Sequence, residues 1–182
     1  MKRIDEIKLK RINKLALAFA IAFMPPIWAV LSPYVGIQTG AVALIVAGLY
    51  VTNGNEKKDA VKITLGFLLG DFFSVAAIWL MENIPFSANV NTYAALFALG
   101  AAAVLIGESL PKIIFTPGLL CGWAIGLTIM GPLGTSGMGT LPFQIAASMV
   151  AGVVYVGIGV DMFQRWLVRL ITKGASTDSK QL

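Results

Sequence analysis

The placement of positive charge is the feature that most limits how this chain can fold. All 14 Lys and Arg residues lie outside the long apolar stretches, and they return after every second stretch. The positions are Lys2, Arg3, Lys8, Lys10, Arg11, Lys14, Lys57, Lys58, Lys62, Lys112, Arg165, Arg169, Lys173 and Lys180. Loops on the cytoplasmic side of a membrane carry an excess of Lys and Arg. The pattern therefore predicts a polytopic all-α protein of the cytoplasmic (inner) membrane, with both termini in the cytoplasm.

Composition supports the same class of protein. Hydrophobic residues make up 57% of the chain and charged residues 13%, whereas a soluble domain carries about 25% charged residues. A soluble helical bundle this apolar would have too little polar surface to cover its core. The net charge of +5 could suggest nucleic acid, but attraction to anionic headgroups explains basic residues at the ends of apolar stretches more simply. We expect the lipid bilayer, and no nucleic acid, as a partner.

Six apolar stretches are predicted to be transmembrane helices, because unpaired backbone amides in lipid cost several kcal/mol each. They are 15–31, 36–52, 63–81, 92–106, 113–130 and 143–160. Pro25 and Pro26 are predicted to kink or break the first helix. No small-x-small cleavage site follows that stretch, so it is interpreted as an uncleaved span and not a signal peptide.

The same pattern divides the chain into three regions. Residues 1–14 are predicted to form a basic amphipathic segment at the level of the headgroups. Residues 15–171 form the six-span domain, and the polar residues 172–182 form a disordered cytoplasmic tail.

An internal repeat of about 52 residues is visible without gaps. Matching residues at this shift include Ala43 and Ala95, Gly48 and Gly100, Glu56 and Glu108, Thr64 and Thr116, Gly66 and Gly118, and Gly70 and Gly122. Apolar composition inflates such matches, and chance is the alternative explanation. A duplicated two-helix unit would give repeats of the same orientation, since each repeat holds an even number of spans.

The repeated motif Thr-x-Gly-x-x-x-Gly predicts close helix packing. Glycines four residues apart lie on one helix face and let two backbones approach closely. The members of this set are Gly66, Gly70, Gly118, Gly122, Gly126 and Gly152. The alternative is that narrow helices leave space for a solute path or a subunit contact.

Asp71 is the one ionisable residue well inside a predicted span. A carboxylate near the bilayer centre costs at least about 2.5–3.5 kcal/mol and is usually functional. Thr64, Asp71 and Ser74 are spaced seven and three residues apart, on one helix face. Asp71 is interpreted as a site for a solute, cation or proton, or else as a structural or oligomer contact. Its counterpart in the repeat is Trp123, which could line a constriction.

Several kinds of chemistry are disfavoured by the residues present. The chain has no His and a single Cys121, which excludes histidine ligands and a cysteine-based metal site. No nucleotide fingerprint and no Ser-His-Asp set is present. We therefore expect no catalytic residues, no metal and no cofactor, and the protein is predicted not to be an enzyme.

The segment Phe115-Thr116-Pro117-Gly118 followed by Gly122 resembles the signature of the domain-of-unknown-function 1097 family of small bacterial inner-membrane proteins. As in that family, a Gly-rich loop, a final span and a Trp166-Leu167 pair follow. The resemblance is clearest over 110–170. It implies a polytopic membrane protein, with no established activity to carry over.

Together these features predict a small-solute channel or transporter, assembled as a homo-oligomer, for a neutral polar or cationic substrate. The candidate substrate-binding residues are Asp71, Ser74, Thr64, Thr116 and Trp123. The alternative is a non-transporting membrane scaffold or partner subunit. A conduit needs a continuous polar cavity past Asp71, whereas a scaffold should be close-packed with Asp71 bonded to a hydroxyl or backbone group.

Overall fold

A computed structural model describes the backbone of residues 2–53 and 57–178, and the side chains of 7–53 and 57–172. Within these ranges the secondary structure is entirely helical. The helices are α1 (Lys2–Leu31), α2 (Val42–Thr52), α3 (Ala60–Asn83), α4 (Ala88–Ser109), α5 (Thr116–Met130), the short α6 (Gly134–Gly137), α7 (Leu141–Ala151) and α8 (Gly159–Asp178). A π-helix, Gly152–Ile158, joins α7 to α8. Glu56 and residues 179–182 lie outside the described residues.

Five helical stretches of the described chain are long and apolar enough to cross a membrane. They are Ile7–Val35, Lys57–Asn83, Ala88–Ser109, Thr116–Gly137 and Leu141–Thr172. The architecture is therefore that of a multi-pass helical membrane protein. α2 has only 11 residues, whereas a span takes about 20. It begins later than the predicted 36–52 because Gly36, at φ +79°, ends a 3-10 turn and residues 37–41 form further turns.

The first helix differs from the sequence prediction at its prolines. α1 is continuous from Lys2 to Leu31 and is not broken at Pro25 and Pro26. Each proline removes one backbone donor, and such losses are tolerated in apolar helices that are supported by their neighbours. One turn before the prolines, Phe23 stacks on Phe163 of α8 with ring centroids 5.7 Å apart. The predicted boundary between 1–14 and the first span also lies inside this single helix.

The last helix is longer than the sequence suggested. α8 continues to Asp178, past residue 172, where the disordered tail was predicted to begin. α8 packs along α1, where the Gln164 side chain donates to the Asn13 carbonyl at 3.3 Å. Further along α1, Trp28 packs against Tyr155, which precedes Gln164 in the chain, so the first and last helices are antiparallel neighbours.

α3 and α5 form the centre of the bundle. Half of the most apolar part of α3 is buried (50%), against 22% of the corresponding parts of α1 and α4. The two central helices run in the same direction, because Gly66, Gly70 and Ser74 of α3 meet successively later residues of α5. α4 packs against both. On the other side of α3 a cluster of buried side chains joins it to α2 and α7, among them Phe67, Tyr50 and Met149.

Glycines of the repeated motif lie where the α3 and α5 backbones touch. A methyl group at Gly70 would overlap the Leu119 carbonyl, and one at Gly122 would overlap the Phe67 carbonyl. Gly66 faces the Phe115 carbonyl, and a methyl group at Gly118 would lie 3.3 Å from the Ile63 carbonyl. Positions 52 residues apart therefore oppose each other across this contact. This is the geometry of helix packing through small residues.

A second close contact joins α2 to the π-helix. A Cβ atom at Gly152 would lie 2.6 Å from the Val46 Cβ and 2.8 Å from the Ala43 carbonyl oxygen. One turn further on, a Cβ atom at Gly157 would lie 2.7 Å from the Tyr50 ring. α2 and the α7–π segment therefore run in the same direction. Gly126, the remaining member of the predicted set, lies at the candidate site.

The backbone contact predicts a sharp difference between two glycines of the apolar helices. Gly70→Ala should lower the free energy of unfolding by about 1–3 kcal/mol, because its methyl group has no space against α5. Gly100→Ala should be tolerated, since its methyl group would lie at an ordinary 3.6 Å from Trp123. Thermal unfolding in detergent compares the two. Equal melting temperatures for the two variants would contradict the contact.

Candidate functional site

Asp71 is buried in the middle of the central helix pair. It lies on α3 and is 5% exposed. Its Oδ1 atom is inaccessible and has no hydrogen-bond partner among the described residues. A buried polar atom without a partner costs free energy that a ligand, a proton or a water molecule would recover. This atom is therefore the clearest chemical feature of the membrane-embedded region.

Ser74 and Gly126 form the immediate surroundings of Asp71. Ser74 is fully buried, and its hydroxyl donates to the backbone carbonyl of Asp71 at 2.6 Å, not to the carboxylate. Opposite, on α5, a Cβ atom at Gly126 would lie 3.2 Å from Asp71 Oδ1 and would overlap the Ser74 hydroxyl. The absence of a side chain at Gly126 is thus what makes room for this polar pair.

The two repeated threonines do not join this group. Thr64 Oγ1 donates to the Ala60 carbonyl at 2.8 Å, on its own helix. Thr64 precedes Asp71 by seven residues, about 10 Å along the helix axis. Thr116 Oγ1 donates to Glu108 Oε1 at 3.3 Å, at the junction of α4 and α5. Of the four polar candidates, the structure therefore brings together Asp71 and Ser74 only.

Trp123 occupies a different environment from its repeat counterpart. It is 9% exposed and packs edge-on against Phe73, with ring centroids 6.2 Å apart. Its Nε1 atom is buried without a hydrogen-bond partner among the described residues. With Leu96, Leu120, Ala124 and Leu127 it lines an apolar cleft of about 330 Å³ between α4 and α5. Trp123 closes the side of the bundle at this point, and the cleft it lines is not polar.

Five apolar clefts lie on the surface of the described part of the chain, and none of these five is lined by Asp71, Ser74, Thr64 or Thr116. These clefts therefore provide no polar path past Asp71, which was the feature expected of a conduit. The feature expected of a scaffold is also incomplete, since Asp71 Oδ1 is bonded neither to a hydroxyl nor to the backbone. Asp71 and Ser74 therefore form a polar pair that is buried between α3 and α5 and lines none of these clefts.

Contacts at one end of this helix pair could not be found from the sequence. Glu82, at the end of α3, accepts a hydrogen bond from the Thr135 backbone amide at 2.9 Å and another from the Thr135 hydroxyl. Nearby, the buried Asn91 amide donates to the carbonyls of Met81 (3.0 Å) and Ile84 (2.7 Å). These bonds fasten the connections after α3 and α5. No local pattern signals them, because Glu82 and Thr135 meet only once the helices have packed.

At the opposite end, Asp161 and Tyr50 are buried polar residues. Asp161 is 5% exposed and accepts a hydrogen bond from Arg165 Nε at 2.9 Å, while its Oδ2 atom has no partner among the described residues. Tyr50 is fully buried, and its hydroxyl is also without a partner there. Tyr50 packs against Gly157 of the π-helix, and Asp161 follows the end of that helix by three residues. Such helices occur frequently at functional sites.

Comparison with known proteins identifies a family but no activity. No curated protein and no solved structure matches the chain. A family model described as "Protein of unknown function (DUF1097)" matches residues 18–164, which include every candidate site residue. Because this match covers most of the chain, the protein belongs to the DUF1097 family, as the Phe115–Gly118 segment suggested.

Proposed function

We propose that the chain crosses the cytoplasmic membrane six times, with both termini in the cytoplasm. The directions of the helices support this topology. α3 and α5 run in the same direction, α2 runs in the same direction as α7, and α1 is antiparallel to α8. The turns at 38–41 continue the chain beyond the 11 residues of α2, and the basic residues mark one side. Opposed positions 52 residues apart in α3 and α5 support two parallel repeats.

Cysteine accessibility tests this topology. The single native cysteine is removed with Cys121→Ala, and either Ser136→Cys or Ser109→Cys is added at an exposed position. A membrane-impermeant thiol reagent applied to intact cells should label the Ser136→Cys protein only. The Ser109→Cys protein should react after the membrane is permeabilised. Labelling of the Ser109→Cys protein in intact cells would contradict cytoplasmic termini.

We propose that the protein is a small-solute transporter and that Asp71 contributes to its solute or coupling-ion site. The unpaired, buried Oδ1 atom of Asp71 is the observation that carries this proposal. A carboxyl group held in an apolar helix pair without a hydrogen-bond donor is poorly suited to a purely structural task. It is well suited to accept a hydrogen bond or a positive charge from something that enters.

The surroundings of Asp71 favour a neutral polar or cationic solute. α2, α4, α5 and α7 contain no Lys or Arg. An anion would therefore find no cationic partner near the middle of the bundle and would be repelled by an ionised Asp71. A cation or an N–H or O–H donor would compensate the buried oxygen.

Close packing favours a moving transporter over a permanently open channel. The α3 backbone meets the α5 backbone at Gly70, before Asp71, and the Ser74 side chain lies against Gly126 after it, so access to the carboxyl between these two helices requires them to separate. The exposed apolar faces of α1 and α4 are available for lipid or for other copies of the chain, which is compatible with a homo-oligomer.

Flux into proteoliposomes tests the transport proposal. Asp71→Asn keeps the shape of the side chain but removes its charge. A hydrogen bond to a charged group contributes about 1.5–3 kcal/mol, so binding of a cationic solute should weaken roughly 10- to 150-fold. Thr128→Val is the matched control, because Thr128 is exposed on α5 and bonds only its own helix. Its flux should equal that of the wild type.

Two results would contradict the proposal. The transport function would be excluded if the wild-type protein gave no more flux than empty liposomes with neutral, cationic and anionic small solutes. If the Asp71→Asn variant has the same flux as the wild type, Asp71 does not contribute to the solute site.

A second candidate function, a non-transporting membrane scaffold, is favoured by one specific observation. The glycine-mediated contact between α3 and α5 leaves Asp71 outside all five surface clefts. In a scaffold, replacement of Asp71 by an apolar residue of similar size should stabilise the protein, because a buried polar atom without a partner is removed. A raised melting temperature of the Asp71→Leu variant, together with no solute flux through the wild-type protein, would establish this candidate.

A further inference from the structure

Gly48 lies in the middle of α2 without a packing role. A Cβ atom there would meet nothing within 4 Å. Its repeat counterpart Gly100 differs, since a Cβ atom there would contact Trp123, and so does Gly152, a further 52 residues along the chain, where a Cβ atom would lie 2.6 Å from the Val46 Cβ. A glycine inside a helix costs roughly 1 kcal/mol relative to alanine. At position 48 no neighbouring backbone comes close enough to require a glycine. The missing side chain therefore leaves open space.

That space is a cleft of about 180 Å³ between α1, α2 and the π-helix. Its lining residues are Ile21, Leu44, Ala47, Gly48, Val51, Val156 and Val160. Every one of these is apolar, which excludes a polar solute as the occupant. Ile21 and Leu44 are 44% and 48% exposed, so the cleft opens on the outside of the bundle, where lipid chains lie.

One end of the cleft is close to positive charge. Lys10, Lys14 and Ile21 lie on one face of α1, because intervals of seven and eleven residues complete nearly whole numbers of helical turns. Lys14 is exposed and is adjacent to Asn13, whose carbonyl contacts Gln164 one turn beyond Val160. Arg165 is also at this end, but its charge is matched by Asp161. Lys10 and Lys14 therefore supply the positive charge beyond the apolar lining.

We propose that this cleft binds an anionic phospholipid, with one acyl chain beside Gly48 and the headgroup beside Lys14 and Lys10. An apolar slot that leads to basic side chains matches both parts of such a lipid. Basic pockets between transmembrane helices are suited to anionic headgroups, and each nearby Lys or Arg contributes about 1 kcal/mol. The site is separate from Asp71 and does not depend on transport.

Lipid-dependent thermal stability in detergent tests the site, with phosphatidylglycerol and phosphatidylcholine of identical acyl chains as probes. For the wild type, phosphatidylglycerol should raise the melting temperature at lower concentrations than phosphatidylcholine. Gly48→Leu extends a side chain into the slot from a Cβ atom that would meet nothing within 4 Å, and it should abolish the response to both lipids. Gly131→Leu adds the same side chain at another open glycine and should keep the wild-type response.

A second variant separates the headgroup from the acyl chain. Lys14→Gln should weaken the response to phosphatidylglycerol roughly fivefold and leave phosphatidylcholine unchanged. Lys112→Gln removes an exposed charge between α4 and α5 and should have no effect. Two results would overturn the site: equal responses of the wild type to both lipids, or a wild-type lipid response in Gly48→Leu.

Discussion

The direct backbone contact between α3 and α5 is the constraint on which the rest of the structure depends. Without side chains at Gly66, Gly70 and Gly122, the two helices approach until carbonyl oxygens of one face the Cα atoms of the other. In a lipid environment this packing replaces the hydrophobic driving force that holds soluble bundles together. α4 and α7 then pack against the resulting pair, and Asp71 is buried by it.

The same contact explains why Asp71 is chemically distinctive. Gly126 leaves room for the Asp71 and Ser74 side chains but supplies no donor, and Ser74 uses its proton on a backbone carbonyl. The Oδ1 atom of Asp71 thus faces a glycine that cannot compensate it. A structural carboxyl would be expected to have hydroxyl or amide donors nearby. Here the donor has to come from outside the pair, which is the physical basis of the transport proposal.

Much of the architecture was accessible from the sequence, because it depends on patterns along single helices. The positions of Lys and Arg and the apolar stretches predicted a helical membrane protein, and the glycine spacing predicted close helix packing but not which two helices meet. The shortness of α2 was missed, because residues 36–41, which include Gln38 and Thr39, were counted as part of the apolar stretch. Pro25 and Pro26 were overestimated as helix breakers, since support from α8 is invisible in the sequence. Within the site, spacing placed Thr64 with Asp71, but Thr64 bonds its own helix.

The most direct test of the account is a double-mutant cycle between Ser74 and Gly126, the opposed residues beside Asp71. Gly126→Ala alone should destabilise the protein, because its methyl group overlaps the Ser74 side chain. Adding Ser74→Gly removes the obstructing atoms, so most of the stability should return. The measured free energies of unfolding should therefore show a coupling of about 1 kcal/mol or more. Purely additive effects on the free energy of unfolding would mean that these two residues are not in contact. The packing of α3 against α5 described above would then be wrong.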